Sequence, residues 1–229
     1  MTTSPTVSVR GEATIVAEPE LATLTISVDA QGGDRQTAMD LLSRRAKAVS
    51  DLIARFTAGI ERSETSRLHV YPELDSKKTE KVRRYIGRTS TSLVVHDFAV
   101  LSDLIVGAGA IDLVSVDGPW WRLRPDSDVY RRARLAAAAD ALTRARDYAA
   151  AFGAELVGLV EIADEGMSQQ HGQPEAMARF AMASNASMQT DGQSFDLEPG
   201  RQQVTGQVEA RFLLTQPDLS TGVPAEETP

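Results

Sequence analysis

Hydrophobic and polar positions alternate along the chain in two rhythms. Between Leu24 and Ala30 the apolar residues Leu24, Ile26, Val28 and Ala30 interleave with Thr25, Ser27 and Asp29, the two-residue period of a half-buried strand. Val7 and Val9 begin a similar strand upstream, and Pro19, which cannot donate to a sheet ladder, marks the connection. A helical rhythm follows. Asp34 reads as its N-cap, and Ala38, Leu42, Ala46, Val49, Ile53 and Phe56 form an apolar stripe that ends with Gly59 at C′. Leu68 and Val70 predict a short strand ending near Pro72, and Val82 to Val95 a long one, with the charged stretch from Asp75 to Lys81 joining them as a hairpin. Asp97 is placed to cap a short helix carrying Leu101, Leu104, Ile105 and Ala108, closed by Gly109, before a strand around Ile111 to Val116.

The strongest helical pattern follows Pro125. With Asp126 or Asp128 as N-cap, it runs through Tyr130, Ala133, Ala137, Ala141, Ala145, Tyr148 and Phe152, and Gly153 terminates it. Its many alanines give high helix propensity and a smooth face that allows close approach to a sheet or another helix. Leu156 to Ile162 is a short apolar strand. In the last strand Val204, Val208, Ala210, Phe212 and Leu214 share one face, opposite Thr205, Gln207, Glu209 and Arg211. Between these two strands, residues 166–203 are rich in Gln, Ser, Met and Gly and carry no sustained period, which predicts a long flexible insertion. A short helix from Ala176 to Met182 is expected if this segment packs. Residues 217–229 read as a disordered tail.

Strands and helices are mixed without strict β-α-β alternation, and the hairpin signals predict an α+β fold: a mostly antiparallel sheet with long helices packed on one side. Leu21–Pro72 and Tyr85–Leu123 each read strand–helix–strand, which suggests two pseudo-repeated units. The expectation is one domain over residues 1–216.

Composition narrows the function classes. The chain has 229 residues, no cysteine, 24 Lys+Arg and 32 Asp+Glu, for a net charge of −8. That length supports a substantial core. Lack of cysteine excludes disulfides, thiolate nucleophiles and thiolate metal sites. The acidic balance argues against a surface wholly devoted to nucleic acid or anionic lipid. No basic and apolar leader pattern opens the sequence and no run is apolar enough to span a bilayer, so a cytoplasmic, non-membrane protein is expected.

Motifs for chemistry are sparse. His69, His96 and His171 show no metal-ligand spacing. Gly107-Ala-Gly109 ends a helix instead of opening one, so it reads as a helix terminator and not as a dinucleotide fingerprint. Neither a phosphate-cradling loop, a nucleophile elbow nor a metalloprotease motif occurs, and no cofactor is implied. Two groups stand out as possible interaction surfaces. One is the basic hairpin of Lys77, Lys78, Lys81, Arg83, Arg84 and Arg88, opposed locally by Glu80, which is more commonly a solubilising tip than a nucleic-acid ribbon. The other is Trp120-Trp121 beside Arg122, where strand geometry allows one ring to face the core and the other outward as an interface anchor, the alternative being that both pack in the core under a loop.

Several segments together resemble the SIMPL-domain family. They are Val7-Ser-Val-Arg-Gly-Glu-Ala13, Pro19-Glu-Leu-Ala22, Val70-Tyr-Pro72, Tyr85-Ile-Gly-Arg88, Trp121-Arg-Leu123, the helix from Ala133 to Phe152, and Pro199-Gly200 ahead of the last strand. The resemblance implies an α+β fold without an established catalytic activity, and supplies no catalytic residues. The absent leader sets this chain apart from the family's exported bacterial members and makes it a cytoplasmic-looking one. The functional expectation is a non-catalytic protein that acts by self-association, as a homo-oligomer, or by binding a protein partner. The alternatives are a small-ligand protein or enzyme with a cleft between sheet and helices, and nucleic-acid binding through the hairpin at 77–88.

Overall fold

The computed structural model describes residues 4–76, 79–164 and 197–220. The fold is α+β with antiparallel pairing, and the seven strands among the described residues lie in two sheets. The chain divides into two units, each with its own core. The expected helix at Ala176–Met182 lies outside the described residues, as does most of the stretch at 166–203.

One unit contains β2 (Leu21–Gly32), α1 (Arg35–Ala54), β3 (Ile60–Ser76), β4 (Thr79–Val95), α2 (Leu101–Gly109) and β5 (Val114–Arg122). Its sheet has the order β3-β4-β2-β5, all antiparallel. β4 therefore sits between the strands of the β2-α1-β3 crossover, and β2 between those of β4-α2-β5. These interleaved split units are the ferredoxin-like arrangement. They coincide with the two strand–helix–strand repeats read from the sequence.

Alternation in β2 places Leu24, Ile26, Val28 and Ala30 on the helix side, where each is almost fully buried. Leu42, Val49 and Leu52 of α1, Leu101 and Leu104 of α2, and Leu93 and Val95 of β4 complete this core. Asp34 caps α1 as expected: its side chain accepts from the backbone N–H and the hydroxyl of Thr37 at 2.9 and 2.7 Å. These hydrogen bonds hold its carboxyl below the ordinary aspartate range, so the cap stays charged well into acid.

Three boundaries differ from the sequence expectation. α1 stops at Ala54, and Gly59 instead closes a 3-10 turn at Thr57–Gly59. There its carbonyl accepts from the N–H groups of His96 and Asp97, and a Cβ would meet Val100 Cγ2 tightly at 3.0 Å. β3 is much longer than its short apolar core because it is an edge strand whose register shifts at Ile60/Arg62 and Thr65/Arg67, which breaks the alternation. β5 starts at Val114 and runs through both tryptophans. Helix-like hydrogen bonds persist to Val114, and Leu113 takes a left-handed φ of 57° that releases the chain into the strand.

The other unit contains β1 (Thr6–Ala17), α3 (Asp128–Ala151), β6 (Leu156–Asp164) and β7 (Gln202–Leu214), with sheet order β1-β7-β6. Ser127, not Asp126 or Asp128, is the N-cap of α3. Its hydroxyl accepts from the N–H of Val129, while Asp128 supplies the favourable first-turn negative charge. Ala133, Ala137, Ala141, Ala145 and Ala149 line the buried face of α3 at four-residue spacing.

Glycines in the strands beneath complete this close approach. A Cβ on Gly11 would lie 2.1 Å from the Ala137 carbonyl oxygen, and one on Gly206 would lie 2.4 Å from that of Ala133. The helix backbone thus rests almost directly on β1 and β7, with Val9, Ala210 and Phe212 filling the remaining space. On the opposite face Arg10 of β1 pairs with Glu209 at 2.9 Å and Thr14 hydrogen-bonds Thr205 at 3.0 Å, with Val16 exposed beyond them. No described helix is long and apolar enough to cross a membrane.

Candidate interaction surfaces

The tryptophans divide as strand parity requires. Trp121 pairs in register with Ala22 and so faces the helices, where it meets the Phe98 ring edge-on at 4.8 Å and joins the core. Trp120 pairs with Thr23 on the other face and remains 43% exposed. Arg122 is exposed, with its carbonyl accepting from the Glu20 N–H.

In the basic hairpin, Lys81 and Arg83 are exposed and form no ion pair among the described residues, while Lys77 and Lys78 lie outside them. Arg84 is held by the cross-strand carboxylate of Glu73 and by Gln31 Oε1 at 2.7 Å. Arg88 reaches both oxygens of Asp29, at 2.6 and 3.3 Å. The Arg84 hydrogen bond keeps Glu73 below the ordinary glutamate range, and the Asp29 hydrogen bond raises Arg88 further. Two of the hairpin's cations are therefore already neutralised, and the Arg88–Asp29 pair together with the Arg84–Gln31 hydrogen bond ties the hairpin's base to β2. The tryptophans on edge strand β5 and the hairpin on the opposite side of the sheet do not converge into one site.

Of the histidines, His69 is exposed on β3 beside Tyr71, and His96 Nε2 lies 3.1 Å from the Ala58 carbonyl. His171 lies outside the described residues. Among the described residues no cluster of three or more histidine or carboxylate side chains could hold a metal. An open cleft of about 450 Å³ lies at the start of α3, lined in part by Asp126, Asp128, Tyr130, Arg131 and Arg134. Asp128 and Arg131 pair across a single helical turn at 3.8 Å, both well exposed. Such a pair neutralises the mouth of the cleft without presenting a nucleophile or a buried acid.

Among the described residues, four exposed apolar side chains lie close together on β6, where the sequence shows an ordinary apolar strand. Register pairs Leu159 with Phe212 and Ile162 with Ala210, placing both on the side of α3. Yet they are 55% and 58% exposed, because α3 packs chiefly on β1 and touches β6 only slightly. Val157 and Val160 fall where the register shifts, so they leave the ladder and stand 64% and 48% exposed. Only Glu161 interrupts the apolar run, and it lies 3.9 Å from Arg211. A strand apolar at both parities is ordinarily buried on both faces, and that pattern is the sequence signal for a surface needing cover.

A comparison with curated proteins finds no match. The model of the SIMPL family, described as protein of unknown function (DUF541), matches residues 7–212. That span includes every strand and helix of both units except the first residue of β1 and the last two of β7. The chain belongs to the SIMPL family.

Proposed function

We propose that this protein acts by self-association, without a catalytic centre of its own, and that β6 provides the contact. The observation that carries this reading is the open apolar edge of β6, with Val157, Leu159, Val160 and Ile162 all about half or more exposed. Natural sheets protect their edges with charge, proline or bulges. Here β3 carries Glu61, Arg62, Glu64, Arg67 and Pro72, β5 carries Asp117 and Pro119, and β1 carries Arg10 and Glu12. In β6 the charges, Glu161 and Asp164, lie in its second half, and Leu156–Val160 carries a register shift but neither charge nor proline, so the ladder is interrupted while its side chains stay available for packing.

A two-fold contact requires a surface complementary to itself. Two β6 strands packed antiparallel about the Leu159–Val160 midpoint would set Val157 against Ile162 and Leu159 against Val160. Glu161 would then face Gly158, where there is open space. Covering the exposed half of each side chain contributes about 1 kcal/mol, or about 8 kcal/mol for two copies. That is comparable with the association cost of about 4–15 kcal/mol, so the expected assembly is reversible and concentration-dependent. The nucleic-acid reading is less well supported, because phosphate contact would compete with the carboxylates holding Arg84 and Arg88.

Because the chain has no cysteine, Val160→Cys supplies a single thiol. A short bis-maleimide is expected to join two copies through that position, whereas a thiol placed by Ser8→Cys on the polar face of β1 stays unlinked. Equal linking at both positions would remove the β6 contact.

A further inference from the structure

We propose that the face of the β3-β4-β2-β5 sheet turned away from α1 and α2 is a binding trough for a neutral glycan, a flat chain of gluco-configured sugars, with Trp120 stacking on one ring. Register lays out this face. Thr23, Thr25 and Ser27 of β2 alternate with the core residues, and β4 sets Val94, Ser92 and Ser90 directly beside them. On β5 a bulge places Gly118 and Pro119 opposite the single residue Leu24. Asp117 and Trp120, three apart in sequence, therefore share this face, beside Thr25 and Thr23, and Ser115 follows beside Ser27.

The trough has a low floor and high sides. Over these rows the central strands present short side chains, whereas the edge strands carry Trp120 and Asp117 on one side and Arg62 and Glu64 on the other. Strand spacings of about 4.8 Å put the two edge strands about 14 Å apart, room for one chain of pyranose rings lying along the strands. The hydroxyls of the floor are unpaired. Those of Thr25, Ser27, Ser92 and Ser115 have no hydrogen-bond partner among the described residues, and Thr23 Oγ1, next to Trp120, is buried without one. A face serving solubility alone would carry long charged side chains at these central positions.

Trp120 is placed as a platform. A Cβ on Gly118 would lie 3.3 Å from its Cε3, so the glycine leaves room for the ring to lie low beside the floor. An exposed indole offers its π face to the axial C–H groups of a sugar ring, while Asp117 and the hydroxyls can take the equatorial OH groups.

Charge selects the class of occupant. On this face Arg62, Arg67 and Arg88 are matched by Asp29, Glu64 and Asp117. Arg88 lies 2.6 Å from Asp29 and Arg62 lies 3.6 Å from Glu64. Nucleic acid and anionic lipid call for an excess of cations, which is missing here. Unpaired hydroxyls, one exposed aromatic ring and balanced charge fit a neutral sugar chain. Asp117 and Glu64 stand on opposite edge strands, too far apart for the carboxylate pair of a glycosidase, whose separation is about 5–9.5 Å, so the trough binds without cutting.

Isothermal titration calorimetry of the whole protein with cellohexaose and with N-acetylated chitohexaose tests the proposal. At least one of the two is expected to bind with a Kd of about 1 mM or tighter. Trp120→Ala should weaken that binding at least about tenfold. Ser92→Lys, which raises a long side chain from the floor, should do the same, and both variants should keep the wild-type melting temperature. Trp121→Phe, a change within the core, and Val160→Asp on β6 should bind as the wild type does. No heat from either sugar at about 10 mM, or binding that Trp120→Ala or Ser92→Lys leaves unchanged, would overturn the proposal. So would salt-sensitive binding of single-stranded oligo(dT) that Trp120→Ala abolishes, since the face would then belong to nucleic acid.

Discussion

Replacing Gly11 with valine is expected to destabilise the unit of β1, α3, β6 and β7 by about 3 kcal/mol, the upper part of the range for overpacking a filled interior. The first added carbon alone would lie 2.1 Å from the Ala137 carbonyl oxygen and 2.6 Å from the Ala141 nitrogen. Both are helix backbone atoms, which no rotamer change moves. α3 must lift from the sheet, separating Val9, Ala141, Ala145, Ala210 and Phe212, which make up the buried part of this small core. Gly158→Ala is the matched control, since nothing lies within 4 Å of its Cβ position and the strand is otherwise similar. Thermal melts should show Gly11→Val lowered by roughly 6–12 °C and Gly158→Ala nearly unchanged. An unchanged melt for Gly11→Val would mean that the helix does not rest on β1 as described.

The second large effect is expected at Leu24. This side chain is fully buried on the central strand β2, beneath both helices of its unit. Leu24→Ala removes the transfer energy of three carbons and leaves a cavity that α1, α2 and β4 cannot all close at once, for a cost of about 3–4 kcal/mol. Denaturant unfolding should place the midpoint well below that of the wild type with little change in slope. Truncating Val160 to alanine, nearly half exposed in the single chain, should cost a small fraction of this. Similar losses at the two positions would indicate that β6 is covered within the chain.

What could be read from the sequence depended on how local its cause was. The alternation in β2, the Asp34 cap and the alanine stripe of α3 are properties of single segments, and each is found in the fold. Parity allowed one tryptophan inward and one outward, but the register of β5 on β2 was needed to show that Trp121 is the inner one. By contrast, β3 was legible only at Leu68 and Val70, because an edge strand with shifted register has no face that must stay apolar throughout. The partition into two sheets depends on which strands pair, and the Arg84–Glu73 and Arg88–Asp29 pairs depend on cross-strand register. Neither is encoded in the period of one segment.

The open face of β6 was hidden for a related reason. Its apolar run shows that a covering element is needed, but not that α3 sits over β1 and β7 through the close contacts at Gly11 and Gly206. Of the residues singled out beforehand, Trp120 remains an exposed side chain on β5, Trp121 belongs to the core, and Arg84 serves the hairpin's base. Lys81 is exposed on β4.

Sedimentation equilibrium in about 1 M salt, where the screening length is about 3 Å and exposed charge contacts are weak, isolates an apolar contact such as the one at β6. The account predicts a concentration-dependent dimer for the wild type, at twice 24.7 kDa, and a monomer of unaltered melting temperature for Val160→Asp. A wild-type monomer at every concentration, or a dimer that Val160→Asp leaves intact, would contradict it.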